Sequence, residues 1–147
     1  ICILNDNPDE ELYSKAIQTA NLQEFINKLP YRDKTNIGID GHGLSSGQKQ
    51  RVLIARSVYK DPGYIFLDEA TNSLDANNEL IIMENLNRFF KNKTVVIVAH
   101  RLSTVKNADQ IIVMDSGKII ESGTHNQLIA TKGAYYKLVK NQLDLGN

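Results

Sequence analysis

The sequence predicts an α/β fold in which a helical front part precedes alternating strands and helices. Residues 8–29 carry apolar side chains at helical spacing. Residues 64–67 and 94–99 are short and almost wholly apolar, which is typical of parallel strands covered on both faces. A stretch of helical character, residues 76–90, separates these two runs. This order is typical of a strand–helix–strand unit with parallel strands.

The front part divides into helices joined by a glycine-rich loop. Residues 8–29 indicate one or two amphipathic helices that begin in an acidic turn and end at Pro30. After the loop, Ser45 and Gln48 form a capping-box pattern that predicts a helix over residues 46–60. The residues expected on its buried face are Val52, Ala55 and either Val58 or Tyr59.

The back part continues with a hairpin and two helices. Residues 110–114 and 118–121 flank Asp115-Ser116-Gly117, a pattern that predicts two strands joined by a tight turn at the margin of the sheet. Thr124 is placed to cap a short helix. Residues 134–143 indicate a final amphipathic helix.

Composition and charge narrow the classes of function. The 147 residues include 17 basic and 17 acidic side chains, so the formal net charge is zero. This balance provides no global field for nucleic acid or an anionic membrane, and any such contact requires a local patch. The single cysteine, Cys2, excludes an internal disulfide framework and fits a reducing compartment. The longest apolar runs are far shorter than a membrane span.

The predicted helix at residue 46 begins in a way that suits an anion. Its capping box satisfies one N–H group of the first turn and leaves others free. Gly47 allows another molecule to approach the backbone closely. Free N–H groups and the helix dipole together favour an anion such as a γ-phosphate.

Polar side chains follow the two predicted parallel strands. Asp68 and Glu69 come at the carboxyl end of the first strand, where open α/β sheets place their ligands. His100 follows the second strand, and it lies beside the Asp68–Glu69 exit if the two strands are neighbours in a parallel sheet. All three side chains would then face the same ligand.

In this order, the segments resemble motifs of the ABC-family ATPases. Residues 44–48 are similar to the signature motif, residues 64–69 to Walker B, residues 73–75 to the D-loop, and His100 to the switch histidine. The resemblance implies a P-loop NTPase fold, with parallel strands in a RecA-like core and an α-helical signature subdomain.

The resemblance also implies two ligands, ATP and Mg²⁺, and a role for each residue. Asp68 would hold the Mg²⁺ that bridges the phosphates, Glu69 would polarise the attacking water as general base, and His100 would contact the γ-phosphate. The residues implied to bind ATP are Ser45, Ser46, Gly47, Gln48 and Asp75.

One part of such a site is absent from the sequence. A loop of the form G-x-x-x-x-G-K-[ST] would cradle the phosphates, and none of the nine glycines stands in that spacing. The resemblance therefore identifies the chain as the C-terminal part of an ATPase domain and predicts negligible ATP hydrolysis by the chain alone. The expected divisions are the signature subdomain over residues 1–63, part of the RecA-like core over 64–123, and C-terminal helices over 124–147. Strand edges left unpaired are expected to rearrange or to pair between copies.

Further sequence motifs are similar to those of ABC exporters. They include AHRLSTV at residues 99–105 and the segment 117–125, and residues 135–142 resemble exporters with a leader-cleaving peptidase for bacteriocin-like peptides. The implied partners are a second ATPase domain in a head-to-tail dimer, the transmembrane domain of the same transporter and a transported peptide, with no nucleic acid. The implied location is the cytoplasmic face of the cell membrane, with the chain itself soluble.

Two positions depart from the family's pattern. Ser46 stands where a second glycine is usual, but it keeps its N–H group and should be tolerated. Ile39 stands where many exporters carry a glutamate that contacts the membrane domain, and Asp40 beside it could substitute.

Two other classes of function are open. One is a soluble ABC-type ATPase that acts on nucleic acid or ribosomes, but the neutral charge offers no basic groove and the short helical part offers no coiled-coil heptads. The other is an interaction module without enzymatic activity, and the intact Asp68–Glu69 pair argues against it.

Overall fold

The computed structural model describes residues 1, 7–38, 41, 43–68, 73–98 and 105–144. The chain divides into two compact units, Ile1–Val96 and Ile97–Asn147. The boundaries at residues 63 and 123, inferred from sequence, refer to functional parts and stay a prediction.

The first unit begins with two short helices, as the sequence predicts. Helix α1 spans Glu10–Thr19 and helix α2 spans Gln23–Asn27. Asp9 caps α1, because its carboxylate accepts the N–H of Leu12 at 3.0 Å. One turn of 3₁₀ helix, Arg32–Lys34, follows α2.

Helix α3 spans Ser46–Tyr59 and packs against α1. Its buried face differs in one position from the prediction, because Ile54 is buried while Val52 is only half-buried. Ile54 and Val58 are four residues apart and therefore form one stripe along the helix. Ala55 extends this stripe, as predicted.

The strand–helix–strand unit consists of β1 (Tyr64–Asp68), α4 (Ala76–Phe89) and β2 (Thr94–Val98). The two strands are hydrogen-bonded neighbours in one sheet, and a helical crossover between them is the connection that parallel strands require. The buried core of the first unit consists of Ala16, Ile17, Ala20, Leu22, Ile54, Ala55, Val58, Ile65, Leu74, Ile82, Leu86 and Phe89.

The sequence pattern is typical of strands covered on both faces, but the described part of the chain covers these strands on one face only. Ile65 is buried, whereas Tyr64 and Phe66 are 74% and 77% exposed. Val96 of β2 is exposed as well. Side chains alternate between the faces of a strand, and the described elements cover only one of these faces.

The second unit contains the predicted hairpin. Strands β3 (Ile111–Asp115) and β4 (Lys118–Gly123) pair antiparallel, with an irregularity after Val113. Ser116 and Gly117 join them with φ angles of 48° and 75°, which fits a two-residue turn matched to the twist of a hairpin. Among the described strands, β1 pairs with β2 and β3 with β4. Rearrangement of the sheet stays a prediction. Association between copies stays a prediction.

Two helices complete the second unit. Helix α5 spans His125–Thr131, and helix α6 spans Ala134–Asp144. Glu121 of β4 caps α6, because its carboxylate accepts the N–H of Ala134 at 2.6 Å and that of Tyr135 at 2.9 Å. The buried core of this unit consists of Ile111, Val113, Leu128, Tyr135 and Val139. Within the described ranges, no helix is long and apolar enough to cross a membrane.

Candidate functional site

The first turn of α3 has the capping box that the sequence predicts. The Ser45 hydroxyl accepts the N–H of Gln48 at 3.2 Å, and the Gln48 side-chain oxygen accepts the N–H of Ser45 at 2.9 Å. These reciprocal bonds fix where the helix begins. They also hold the Ser45 side chain at the end of the helix axis.

Two backbone N–H groups of this turn point to an anion site. Within the part of the chain that the structure describes, no acceptor is found for the N–H of Ser46 or of Gly47. Ser46 is exposed and Gly47 is half-buried, so a ligand can reach the turn. The positive end of the helix dipole adds to these donors, and together they favour a phosphate group.

Gly47 packs closely against the segment that precedes α4. A Cβ atom added at Gly47 would lie 3.0 Å from the carbonyl oxygen of Ser73 and 3.6 Å from Cδ2 of Leu74. A side chain here would therefore press on backbone. The sequence assigned Gly47 to close approach by another molecule, and the structure adds this approach within the chain.

Gln50 is a contact that sequence reasoning missed. Its side-chain oxygen accepts the N–H of Ser73 at 3.1 Å. Gln50 lies three residues after Gly47 and hence on the same side of α3, which is the signal that could have found it. Gly47 and Gln50 together hold the first half of α3 against residues 73–75.

Asp75 caps α4. Its carboxylate accepts the backbone N–H of Asn78 at 3.0 Å and the side-chain amide of Asn78 at 2.6 Å. The side-chain amide of Asn78, followed by its backbone N–H, holds the pKa of Asp75 below the usual 3.8. Asp75 is therefore charged at neutral pH.

Asn78 connects this cap to two further elements. Its side-chain oxygen accepts the amide of Asn21 at 3.0 Å, in the turn between α1 and α2. Arg51 of α3 donates to the carbonyl oxygen of Asn21 at 3.0 Å. Hydrogen bonds therefore link the starts of α3 and α4 through the α1–α2 turn.

Asp68 is the last residue of β1 and is exposed. No group of three or more His, Cys, Asp or Glu side chains suited to a metal ion is found among the described residues. One carboxylate is enough for Mg²⁺ when phosphate oxygens and water supply the other ligands. Asp68 therefore fits a metal that arrives with a nucleotide.

Comparison with known proteins decides the family. A family model described as "ABC transporter" matches residues 4–72. A solved bacterial Atm1-family ABC exporter with ATP bound superimposes with a TM-score of 0.85 at 36% identity, covering 94% of this chain and 24% of that chain. The chain belongs to the ABC transporter ATP-binding domains of the exporter type. The predicted fold class, an α/β fold of the P-loop NTPase type, is thus confirmed.

Relatives of the ABC domain chain come from several eukaryotes. It is 49% identical over 140 residues to ABC transporter B family member 21 of Arabidopsis thaliana, covering 95% of this chain and 11% of that protein. It is 47% identical over 140 residues to ABC multidrug transporter atrD of Emericella nidulans, covering 95% of this chain and 10% of that protein. The chain therefore spans about a tenth of the length of these relatives.

The structure places some of the predicted site residues of the ABC domain close together, whereas others lie outside the residues that it describes. Ser45, Ser46, Gly47 and Gln48 form the first turn of α3, which contacts the Ser73–Asp75 segment. The two strands that lead to the predicted catalytic residues are neighbours, as expected. Glu69 and His100 themselves lie outside the described residues, and so do Ile39 and Asp40.

Proposed function

We propose that this chain supplies the signature and Walker B side of an ATP-hydrolysing site that powers export across a membrane. The observation that carries the proposal is the first turn of α3, where two N–H groups without an acceptor among the described residues stand beside a fixed serine hydroxyl. These groups are donors, which suits the negatively charged end of ATP.

The signature turn would face ATP held by a second copy of the domain in a head-to-tail dimer. Ser45 can still donate its hydroxyl hydrogen to a phosphate oxygen, because its bond to Gln48 uses only a lone pair. Ser46 and Gly47 would donate their N–H groups, and Ser46 replaces the usual glycine without loss of this donor. Asp75 would take part from the start of α4, close to the turn.

The hydrolytic roles follow from motif positions. Asp68 would hold Mg²⁺, which neutralises phosphate charge when bound. Glu69 would accept a proton from the water that attacks the γ-phosphorus, while the bond to the leaving ADP oxygen breaks. His100 would hold the γ-phosphate and the water in line.

The transported cargo is the least constrained part of the proposal. The segment 135–142 suggested bacteriocin-like peptides, but the relative from Emericella nidulans is named as a multidrug transporter and gives no support to a peptide. We therefore propose export without a peptide assignment. The similarity to exporters also disfavours a soluble ATPase that acts on nucleic acid. The expected partners are a second copy and a transmembrane domain, at the cytoplasmic face of the membrane.

The test is the substitution Glu69→Gln in the intact transporter that carries this segment. Loss of a general base lowers turnover by about 100-fold or more, and we expect ATP hydrolysis to fall by that amount. ATP binding should persist, since the amide keeps the size and polarity of the site. Steady-state phosphate release and equilibrium binding of labelled ATP measure the two quantities.

Glu84→Gln is the matched control, because Glu84 lies exposed on α4 and the same charge is removed. It should leave turnover unchanged. Near-normal turnover in Glu69→Gln would remove Glu69 from the role of base. The isolated chain should hydrolyse ATP negligibly, and rapid turnover that depends on Glu69 in this chain would contradict the half-site proposal.

A further inference from the structure

A polar cavity lies in the first unit, at the amino ends of its strands. It has a volume of about 460 Å³, and its lining includes Lys15, Asp61, Arg88, Phe89, Lys91 and Lys93. Asp61 precedes β1 and Lys93 precedes β2, whereas Asp68 ends β1. A strand rises about 3.3 Å per residue, so the length of β1 separates this cavity from Asp68 and the proposed ATP edge.

Two ammonium groups in the cavity lie near the same carboxylate, that of Asp61. Lys93 lies 3.1 Å from the Asp61 carboxylate and also donates to the carbonyl oxygen of Pro62 at 3.0 Å. Its side chain is 13% exposed, so this pair is partly shielded from water. Lys15 lies 4.0 Å from the same Asp61 oxygen. The Asp61 charge therefore cannot neutralise both lysines.

An aromatic ring holds both ammonium groups beside the cavity. The Lys93 ammonium lies 4.8 Å from the centroid of the Phe89 ring, and the Lys15 ammonium lies 5.4 Å from it. The negative face of the ring attracts cations at these distances. Phe89 is buried in the core, so the ring offers a fixed surface for both groups.

Arg88 and Lys91 add two further positive charges. Neither forms an ion pair with a carboxylate of the described residues. The lining thus carries four cationic side chains against Asp61 alone, in a chain whose formal net charge is zero. This is the local patch that the overall charge balance does not reveal.

We propose that this cavity binds a small multivalent anion bearing phosphoryl groups. Its volume is in the range of small-molecule sites, which favours a compact ligand over a macromolecular surface. Arg88 can offer two parallel donors to phosphate oxygens, and Lys91 adds a point charge. The Asp61–Lys93 pair belongs to the lining of the site and does not balance its charge. The site is independent of the proposed ATP half-site.

The test uses the 147-residue chain and tripolyphosphate as the probe, at constant ionic strength maintained with sodium chloride. Calorimetric titration should give saturable binding, which includes one site per chain at this cavity. Amide NMR signals should shift in residues 15–19, 61–63 and 85–93, which surround the cavity. Orthophosphate is the second probe, and it should bind more weakly because it carries less charge.

The decisive comparison is between two double variants with the same change of charge. Arg88→Gln/Lys91→Gln removes the two cations without a carboxylate partner and leaves the Asp61–Lys93 pair in place. Loss of two charge-assisted hydrogen bonds should weaken tripolyphosphate binding by about tenfold or more. Arg32→Gln/Lys34→Gln changes an exposed turn elsewhere in the unit and should leave the affinity nearly unchanged.

Four results would overturn the proposal. They are absence of saturable binding, equal weakening in the two double variants, equal affinity for orthophosphate and tripolyphosphate, and amide shifts confined to the first turn of α3. The last result would place the anion at the signature turn instead. Circular dichroism of each variant establishes that a loss of binding is not a loss of fold.

Discussion

Two helices of this protein, α3 and α5, begin with the same local device. Ser45 and Gln48 exchange bonds of 3.2 and 2.9 Å at the start of α3. Thr124 and Gln127 exchange bonds of 3.4 and 2.8 Å at the start of α5. The two capping boxes have the same chemistry, yet only the first belongs to the proposed ATP site.

The difference lies in what surrounds each box. At α3, Gly47 and Gln50 hold the turn against Ser73, and the N–H groups of the turn stay accessible. At α5, the ring of His125 bonds the Tyr135 hydroxyl of α6 at 2.8 Å, in the core of the second unit. A capping box therefore fixes where a helix begins, and its neighbours decide whether that beginning can serve a ligand.

Substitution by valine should show the largest difference in stability between the two environments, at Gly47 within the first box and at Gly123 directly before the second. Gly47→Val forces Cβ against the Ser73 carbonyl oxygen, and overpacking of this kind costs about 2–3 kcal/mol. Gly123→Val places Cβ 3.1 Å from Oε1 of Gln127, with Cβ of Gln127 and Cδ2 of Leu128 at ordinary contact distances. Its cost should stay at about 1 kcal/mol, because the clash is with a side-chain oxygen and the main loss is the bond from Thr124 to Gln127. Urea unfolding of the chain measures both values. A Gly47→Val chain as stable as Gly123→Val would contradict the close packing at Ser73.

Removal of the caps themselves should affect both helices alike. Ser45→Ala and Thr124→Ala each delete an N-cap oxygen, at a typical cost of about 1 kcal/mol. Hydrogen exchange in the first turn of α3 or α5 should increase in the corresponding variant and not in the other. Faster exchange at α5 in Ser45→Ala would show that the two beginnings are coupled, contrary to this comparison.

The carboxylate that caps α4 should make the stability of the fold depend slightly on pH, which neither capping box does. The pKa of Asp75 is lowered by its bonds to Asn78, so folding gains stability from the charged form. This gain is complete above about pH 5 and is lost as the pH falls below 3.8, through the lowered pKa of the folded state. Asp75→Asn should flatten the acid limb of the stability curve. An unchanged acid limb would contradict the role of Asn78.

The sequence predicted what depends on near neighbours in the chain. Caps at Ser45 and Thr124, the turn at Ser116-Gly117 and the limits of α3 all follow from residues within a few positions, and all are confirmed. The order of the motifs also predicted the family. The caps, the turn and the helix limits depend on residues close together in the sequence, and the family is indicated by short characteristic motifs.

Contacts between distant segments could not be predicted in the same way. Gln50 accepts a hydrogen bond from Ser73, and Asn21 donates one to Asn78 across 57 positions. No local sequence pattern predicts either bond. The exposed Phe66 shows the same limit, because an apolar strand does not reveal which of its faces this chain covers. The cavity around Phe89 is assembled from α1, α4 and the segments before two strands, and it was missed for that reason.

The central claim, that the first turn of α3 faces ATP across a dimer, is tested most directly by ATP-dependent dimerisation of the complete ATP-binding domain. Size-exclusion chromatography with Glu69→Gln as background, which prevents turnover, should give a dimer with ATP. Adding Ser45→Arg should abolish that dimer, because a bulky cation would occupy the place of the phosphate, while ATP binding to each monomer persists. Thr124→Arg, which changes the other capping box, should leave the dimer intact. An undiminished ATP dimer with Ser45→Arg would contradict the account.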